Sequence, residues 1–301
     1  MFTRKKRLYL IIFLVKGTLL LNGQESWILP HIKKKYNEIT FLASHNAYAS
    51  KDDGWRYSQQ KIDIEQQLST GVRGFLLDIH FHKNTIVLSH GGCRGFFKLL
   101  KTGSYDPLQK AFNTLLGFLE QNPHEIITIF LENYVHNDQL KSEIEKNSIL
   151  QKILLTKKDW DPEINSEWPT LEWMQKKNKR IIIFNEDKSK SRSITDEDPF
   201  FSVWHHIIES QYGTTNLKQV CKERRESQLH ANRNRSLYLL NFFGTISLAK
   251  KSKKRNSYEM LKQLVDRIHD QTKKLPNWIA LDFVDQGNAM KLVNELNQQR
   301  I

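Results

Sequence analysis

The chain has 301 residues, 39% hydrophobic and 11% aromatic, enough apolar side chain to bury one large core and too much for a disordered chain. Lysine and arginine outnumber aspartate and glutamate by 46 to 33, and the resulting +13 favours an anionic partner: lipid head group, phosphodiester or nucleic acid. Cys93 and Cys221 are the only cysteines, which excludes a disulfide framework and a four-cysteine zinc site and leaves one bridge or two buried thiols.

In chain order, residues 1–23 come first. Arg4 to Arg7 precede the apolar run Leu8 to Val15, the pattern of a secretory signal, and Lys16 interrupts it short of the roughly 20 apolar residues of a bilayer span. A cleaved leader is the expectation, with an anchor as the alternative; its removal takes away Arg4, Lys5, Lys6, Arg7 and Lys16 and leaves about +8. Residues 24–301 then read as one domain, because no linker or repeat divides them.

Strands are expected at Ile39 to Ser44, Gly74 to Phe81, Thr85 to Ser89, Ile126 to Leu131, Arg180 to Phe184, Leu237 to Phe242 and Trp278 to Phe283. Helical patterns lie between them at Asp106 to Glu120, Asp138 to Leu154, Pro199 to Gln211, Tyr258 to Lys273 and Asn288 to Asn297. Alternation of this kind is the α/β signature, and near-continuous apolar strands indicate parallel pairing covered on both faces. Neither G-x-G-x-x-G nor G-x-x-x-x-G-K-[ST] occurs, so a closed, distorted barrel is favoured over an open nucleotide-binding sheet.

In such a barrel the chemistry sits at the C-terminal strand ends. There the sequence places Ser44-His45-Asn46, Asp78 and His80, Ser89-His90-Gly91, Glu132-Asn133, Asn185-Glu186-Asp187, Asn241, and Asp282 with Asp285. One strand-end histidine is commonly structural, and a lone Asp or Asn often caps the next helix. The collective pattern points to a site. His45 and His90 can serve as general base and general acid in phosphoryl transfer. Oxygens of Asn46, Asp78 and Glu132 can hold Ca²⁺ or Mg²⁺ against a phosphate. Arg73 is a further candidate for the phosphate charge, although it begins its strand and spacing puts it at the opposite end.

Four stretches, Ala43-Ser-His-Asn-Ala-Tyr48, Gly71-Val-Arg-Gly-Phe-Leu-Leu-Asp78, Leu88-Ser-His-Gly91 and Ile126-Ile-Thr-Ile-Phe-Leu-Glu-Asn133, together resemble the phosphatidylinositol-specific phospholipase C X-domain family and its small secreted phosphodiesterases. Weaker similarity continues through Trp168-Pro-Thr-Leu171, Glu209-Ser-Gln-Tyr-Gly213, Asn241-Phe-Phe243 and Ala280-Leu-Asp-Phe283. The resemblance implies a distorted TIM (β/α)8 barrel cleaving a phospholipid head-group phosphodiester, with His45 as base and His90 as acid. In the family's calcium-dependent branch an Asn, a Glu-x-Asp pair and a Glu bind the metal; here these positions read Asn46, Leu76 with Asp78, and Glu132. Leu76 removes one carboxylate, and Asp78 stands where the metal-free branch has an arginine, so a weakly held Ca²⁺ or Mg²⁺ is the expectation.

Three cationic segments, Arg94 to Lys101, Lys188 to Arg192 and Lys250 to Arg255, follow strands and suit peripheral contact with an anionic membrane, with ordinary solvated loops as the alternative. No aromatic-basic strand surface for stacking bases is visible, so no nucleic-acid partner is expected, and the chain reads as a monomer. Two readings compete with the lipid-cleaving one: a phosphodiesterase of a non-lipid substrate, and an inactive barrel binding phosphorylated ligands, which Leu76 motivates.

Overall fold

The structure, a computed structural model, describes residues 26, 28–93, 105–229, 237–246 and 248–299. The leader expected at 1–23 and the cationic run 94–101 lie outside the described residues. Strands β1 (Phe41–Ser44), β2 (Val72–His82), β3 (Thr85–Leu88), β4 (Ile127–Asn133), β5 (Ile181–Asp187), β6 (Phe201–Ser202), β7 (Ile207–Glu209), β8 (Leu237–Phe242) and β9 (Trp278–Leu281) form one sheet. Its path runs β6-β5-β4-β2-β1-β9-β8-β7, eight strands joined by parallel ladders. Strand β3 lies off that path, as the antiparallel arm of a hairpin with β2. Lys83 and Asn84 both take positive φ between the paired His82 and Thr85, the backbone that a two-residue hairpin turn requires. No ladder joins β6 to β7 among the described residues, so the barrel is curled but its hydrogen bonding is not closed.

Helices α1 (Ile64–Ser69), α2 (Leu108–Gln121), α3 (Asn137–Glu145), α4 (Ser148–Ile153), α5 (Leu171–Lys176), α6 (Val203–His206), α7 (Leu217–Val220), α8 (Ala249–Arg255), α9 (Tyr258–Thr272) and α10 (Ala289–Gln299) connect the strands. The α9 segment shows why such a stretch is helical. Ser257 caps its start by accepting from the Met260 N–H, Leu261, Leu264, Val265 and Ile268 make one buried stripe, and left-handed Lys273 ends it. That stripe joins the outer core between helices and sheet, with Leu42, Phe75, Ile129 and Ile183 from the strands.

Side chains one position along each strand point the other way, into the barrel. There Phe41, Phe130, Phe184 and Trp278 meet across the interior, Trp278 lying edge-on to Phe130 at 5.0 Å. Aromatic packing therefore plugs the lower barrel, and the cavity lies above it.

Two expectations are corrected. Pro199 to Gln211 is not one helix but β6, the short α6 and β7, because Ile207–Glu209 gains a parallel ladder with Leu237–Leu239 that outweighs local helical periodicity. Asp138 to Leu154 is two helices, since the Asn147 side chain interrupts the run and caps α4 through the Leu150 N–H.

Candidate active site

The inward-facing apolar layer contains Ala43, Leu76, Phe130, Phe184, Ile207, Leu239 and Ala280, one from each of seven strands. Two residues later along each strand direction come His45, Asp78, Glu132, Glu186, Glu209, Asn241 and Asp282. Because strand side chains repeat every second residue, this offset lifts a ring of polar groups one layer above the plug. Register confirms the level, with Asp78 opposite Glu132 and Glu132 opposite Glu186. All seven except Asp282 line one cavity of about 300 Å³, which His90 also lines.

His45 is fixed on two sides. Its Nδ1 lies 2.8 Å from Oδ1 of Asp282, whose side chain is fully buried, and its ring stacks on Phe243 with centroids 3.6 Å apart. A carboxylate can only accept, so Nδ1 carries the proton and Nε2 is left as the basic nitrogen. Gln60 secures the turn by donating to the carbonyls of both His45 and Leu281.

His90 is held differently. Its Nδ1 is 2.8 Å from Oδ2 of buried Asp78 and 3.3 Å from Nδ2 of Asn46, and its side chain is half exposed. The hydrogen bond to Asp78 raises its pKa against the opposing effect of burial, which favours the imidazolium. The two rings are thus held by different carboxylates, His45 by Asp282 and His90 by Asp78.

Arg224 bridges β5 and β7. Its Nη1 donates to Oε2 of Glu209 at 2.9 Å and its Nη2 to Oε1 of Glu186 at 3.2 Å, while its plane lies over Trp204 and Tyr212. Burial, reinforced by the charge of Glu186, pushes Glu209 up to about 7. Glu132 is also raised, by burial and then by Asp78.

Arg73 does not reach the cavity. It sits on the outward face near the start of β2, roughly 16 Å below Asp78 at about 3.3 Å per residue. Its Nε donates to Glu125 at 2.7 Å, its Nη1 to the Leu68 and Val72 carbonyls, and its guanidinium lies over Phe118. The catalytic assignment is therefore corrected to a structural one.

Asn46, Asp78 and Glu132 do sit at the same end of the barrel, with Asn46 in the left-handed region at φ 43. They do not close into a cation cage. Asp78 Oδ2 accepts from His90, and the Glu132 carboxylate accepts from the Tyr134 hydroxyl. Leu76, where a further carboxylate would help, packs into the apolar plug. Among the described residues no three His, Cys, Asp or Glu groups are placed to hold a metal ion.

Positive charge enters from another direction. Arg255, at the end of α8, is nine-tenths buried beside Gly244, and its Nη1 has no hydrogen-bond partner. Burial lowers its pKa while Asp282 opposes that shift. The sequence marked it only as part of a cationic loop, and the intervening helix is what carries it inward. Glu209 and Arg224 were missed because the first was assigned to a helix and the second belongs to no strand end. Cys93 and Cys221 are both buried free thiols.

The PI-PLC X family model (PI-PLC X 1) matches residues 31–297. A PI-PLC X domain-containing protein of Arabidopsis thaliana is 28% identical over 87% of this chain and 62% of its own length. An uncharacterized secreted protein of Arthroderma benhamiae is 24% identical over 69% of this chain and 45% of its own. The chain thus spans less than two thirds of either relative. Among solved structures, the phosphatidylinositol-specific phospholipase C of Listeria monocytogenes superposes with a TM-score of 0.57 at 14% identity, covering 90% of this chain and 95% of that one. The Staphylococcus aureus phospholipase C gives 0.55 at 15%, covering 87% and 94%. At these identities the likeness is one of fold.

Proposed function

The chain belongs to the PI-PLC X family, and from that membership we propose that it is a phosphodiesterase of the phospholipase C type acting on a phospholipid head group. The observation that carries this reading is a pair of histidines lining one cavity, each hydrogen-bonded through Nδ1 to a buried carboxylate.

In the reaction, Nε2 of His45 takes the proton of a hydroxyl, from the head group or from water, as its oxygen bonds to phosphorus. The bond from phosphorus to the lipid alcohol oxygen breaks, and the His90 imidazolium protonates that oxygen as it leaves. Asp282 and Phe243 hold the base in one orientation, and the hydrogen bond to Asp78 favours the charged form of the acid. Arg255 adds positive potential from behind Gly244. No step is routed through a metal.

Membrane contact fits the rim after β8. Ile246 and Leu248 are exposed there, followed by exposed Lys250, Lys251, Lys253 and Lys254 on α8. The segment from Lys188 to Arg192 fits less well, because Lys188 pairs with Glu186 and Arg192 with Asp138 and Asp198. Export is part of the proposal, in keeping with the secreted Arthroderma relative; among the described residues no helix is long and apolar enough to cross a membrane.

The test is turnover of phosphatidylinositol vesicles by wild type, His45→Ala and His90→Ala. Loss of about a hundredfold or more in each variant is expected, and turnover indifferent to both substitutions overturns the reading.

A further inference from the structure

His45 and Asp282 are the first residues beyond a shared ladder. Strands β1 and β9 pair in parallel with Ser44 opposite Leu281, and the His45 N–H bonds back to the Leu281 carbonyl at 3.0 Å. Each member of the pair is followed by a residue in the left-handed region, Asn46 at φ 43 and Phe283 at φ 49. Asparagine tolerates that backbone, but a buried phenylalanine is kept there only where its surroundings over-determine it.

Two amide side chains from separate segments, both fully buried, supply that constraint. Gln60 spans the two turns. Its Nε2 donates to the carbonyls of His45 at 2.8 Å and Leu281 at 3.0 Å, and its Oε1 accepts from the Val284 N–H at 3.0 Å. Asn256, just past the end of α8, donates through Nδ2 to the carbonyls of Asp282 at 2.8 Å and Phe283 at 3.1 Å. These partners fix the orientation of both amides. The Phe283 N–H also bonds to the Gln59 carbonyl at 2.8 Å, and the Asn288 N–H to the Asn256 carbonyl at 3.1 Å. A Cβ at Gly287 would collide with that Asn256 carbonyl, so the two backbones meet this closely only across a glycine.

We infer that Gln60 and Asn256 are positioning residues for the base, acting through the main chain on the hydrogen bond between His45 and Asp282. The inference rests on the phosphodiesterase reading of His45 and His90. Neither amide is among the described residues that line the cavity, so their part in the reaction runs through the dyad. Gln60 ties the His45 peptide to those on either side of Asp282, and Asn256 ties Asp282 and Phe283 to α8. Without either amide the turn is free to relax from the left-handed backbone at Phe283, which carries the Asp282 carboxylate away from the imidazole. A misplacement of about 1 Å in such a pair can cost roughly a hundredfold in rate.

The experiment uses the full chain on phosphatidylinositol vesicles, with rates divided by the folded fraction read from near-ultraviolet circular dichroism. Gln60→Met and Asn256→Ala are each expected to lower kcat at least about tenfold with KM within about threefold. In a His45→Ala background, where the positioned group is gone, each should cost about twofold or less. An unchanged kcat in either variant, or the same loss with and without His45, overturns the inference. Absence of turnover by the wild type removes the phosphodiesterase reading instead. The positioning is then read from the proton resonance of His45 Nδ1–H, identified by its absence in His45→Ala. Broadening of that resonance in both variants supports the inference, and an unchanged resonance in either overturns it. Should neither variant fold, deuterium exchange of the wild type decides. Amides of Phe283 and Val284 that exchange as slowly as the β1–β9 ladder support the inference, and exchange at the rate of an exposed loop overturns it.

Discussion

The imidazole of His45 lies flat on the ring of Phe243, 5° from parallel, while Asp282 holds its Nδ1 from the adjacent strand. The two contacts constrain different freedoms: Asp282 sets tautomer and in-plane direction, and Phe243 sets the ring plane. Asp282→Asn is expected to cut kcat by about a thousandfold or more, because an amide no longer selects the tautomer with a basic Nε2. Phe243→Ala should cost about tenfold, since Asp282 remains. Steady-state kinetics on both variants checks the order, and a larger loss from Phe243→Ala contradicts it.

The second histidine sets the alkaline limit. The folded-state pKa of His90 is raised, so the acid form is present below that value and is lost as pH rises through it. Asp78→Asn removes the leading cause of the shift. The alkaline limb of kcat/KM is expected to move to lower pH in that variant, as read from a full pH profile. A limb that stays in place assigns it to another group.

Arg73 and Glu125 form a buried ion pair far from the cavity, with side chains 5% and 3% exposed. Arg73→Met leaves the carboxylate unpaired and is expected to cost about 3–5 kcal/mol of stability. The kcat of the folded fraction should be unchanged. Denaturant titration beside active-site-normalised turnover separates the two effects.

Glu209 gives a pH dependence of stability with the sign opposite to an ordinary ion-paired carboxylate. Its pKa rises from 4.5 to about 7 on folding, so the folded chain keeps a proton that the unfolded chain releases in that window. Stability contributed by that proton is full below the lower value and is lost as pH rises to the upper one. Glu209→Gln should flatten the midpoint-versus-pH curve between those values.

The metal expectation has its own test. With Asp78 and Glu132 both engaged by protein partners, chelation should leave kcat/KM within about threefold of the untreated protein. A loss above tenfold restored by Ca²⁺ means that these side chains rearrange around the ion.

Much of the site was legible because it obeys strand periodicity. Residues two positions beyond an apolar inward residue at a strand's end are presented upward, and this rule finds His45, Asp78, Glu132, Asn241 and Asp282 from sequence. It failed at Glu209, where a two-turn apolar run looks helical until the ladder with β8 is known. Arg224 and Arg255 were illegible for another reason. A long flexible side chain on a connecting segment can point anywhere, and tertiary packing alone turns both inward. The Asp partners of the histidines were visible as residues, but the pairing of His45 with Asp282 spans 237 positions and depends on β1 lying beside β9. Arg73 illustrates the converse: its position in a recognisable stretch suggested chemistry, while its parity along β2 assigned it to the outer face.

The missing ladder between β6 and β7 gives the barrel a seam, and a single guanidinium spans it from Glu186 on β5 to Glu209 on β7. Backbone hydrogen bonds are short-ranged and indifferent to salt, whereas an ionic clasp is not. Amides flanking the seam, at Phe201 and Ile207, are therefore the place where the wall should first exchange with deuterium, and raised ionic strength should hasten that exchange there while leaving the β1–β9 ladder as it was. Arg224, Glu186 and Glu209 all line the cavity, so a molecule bound there meets the clasp itself and should alter exchange along the seam.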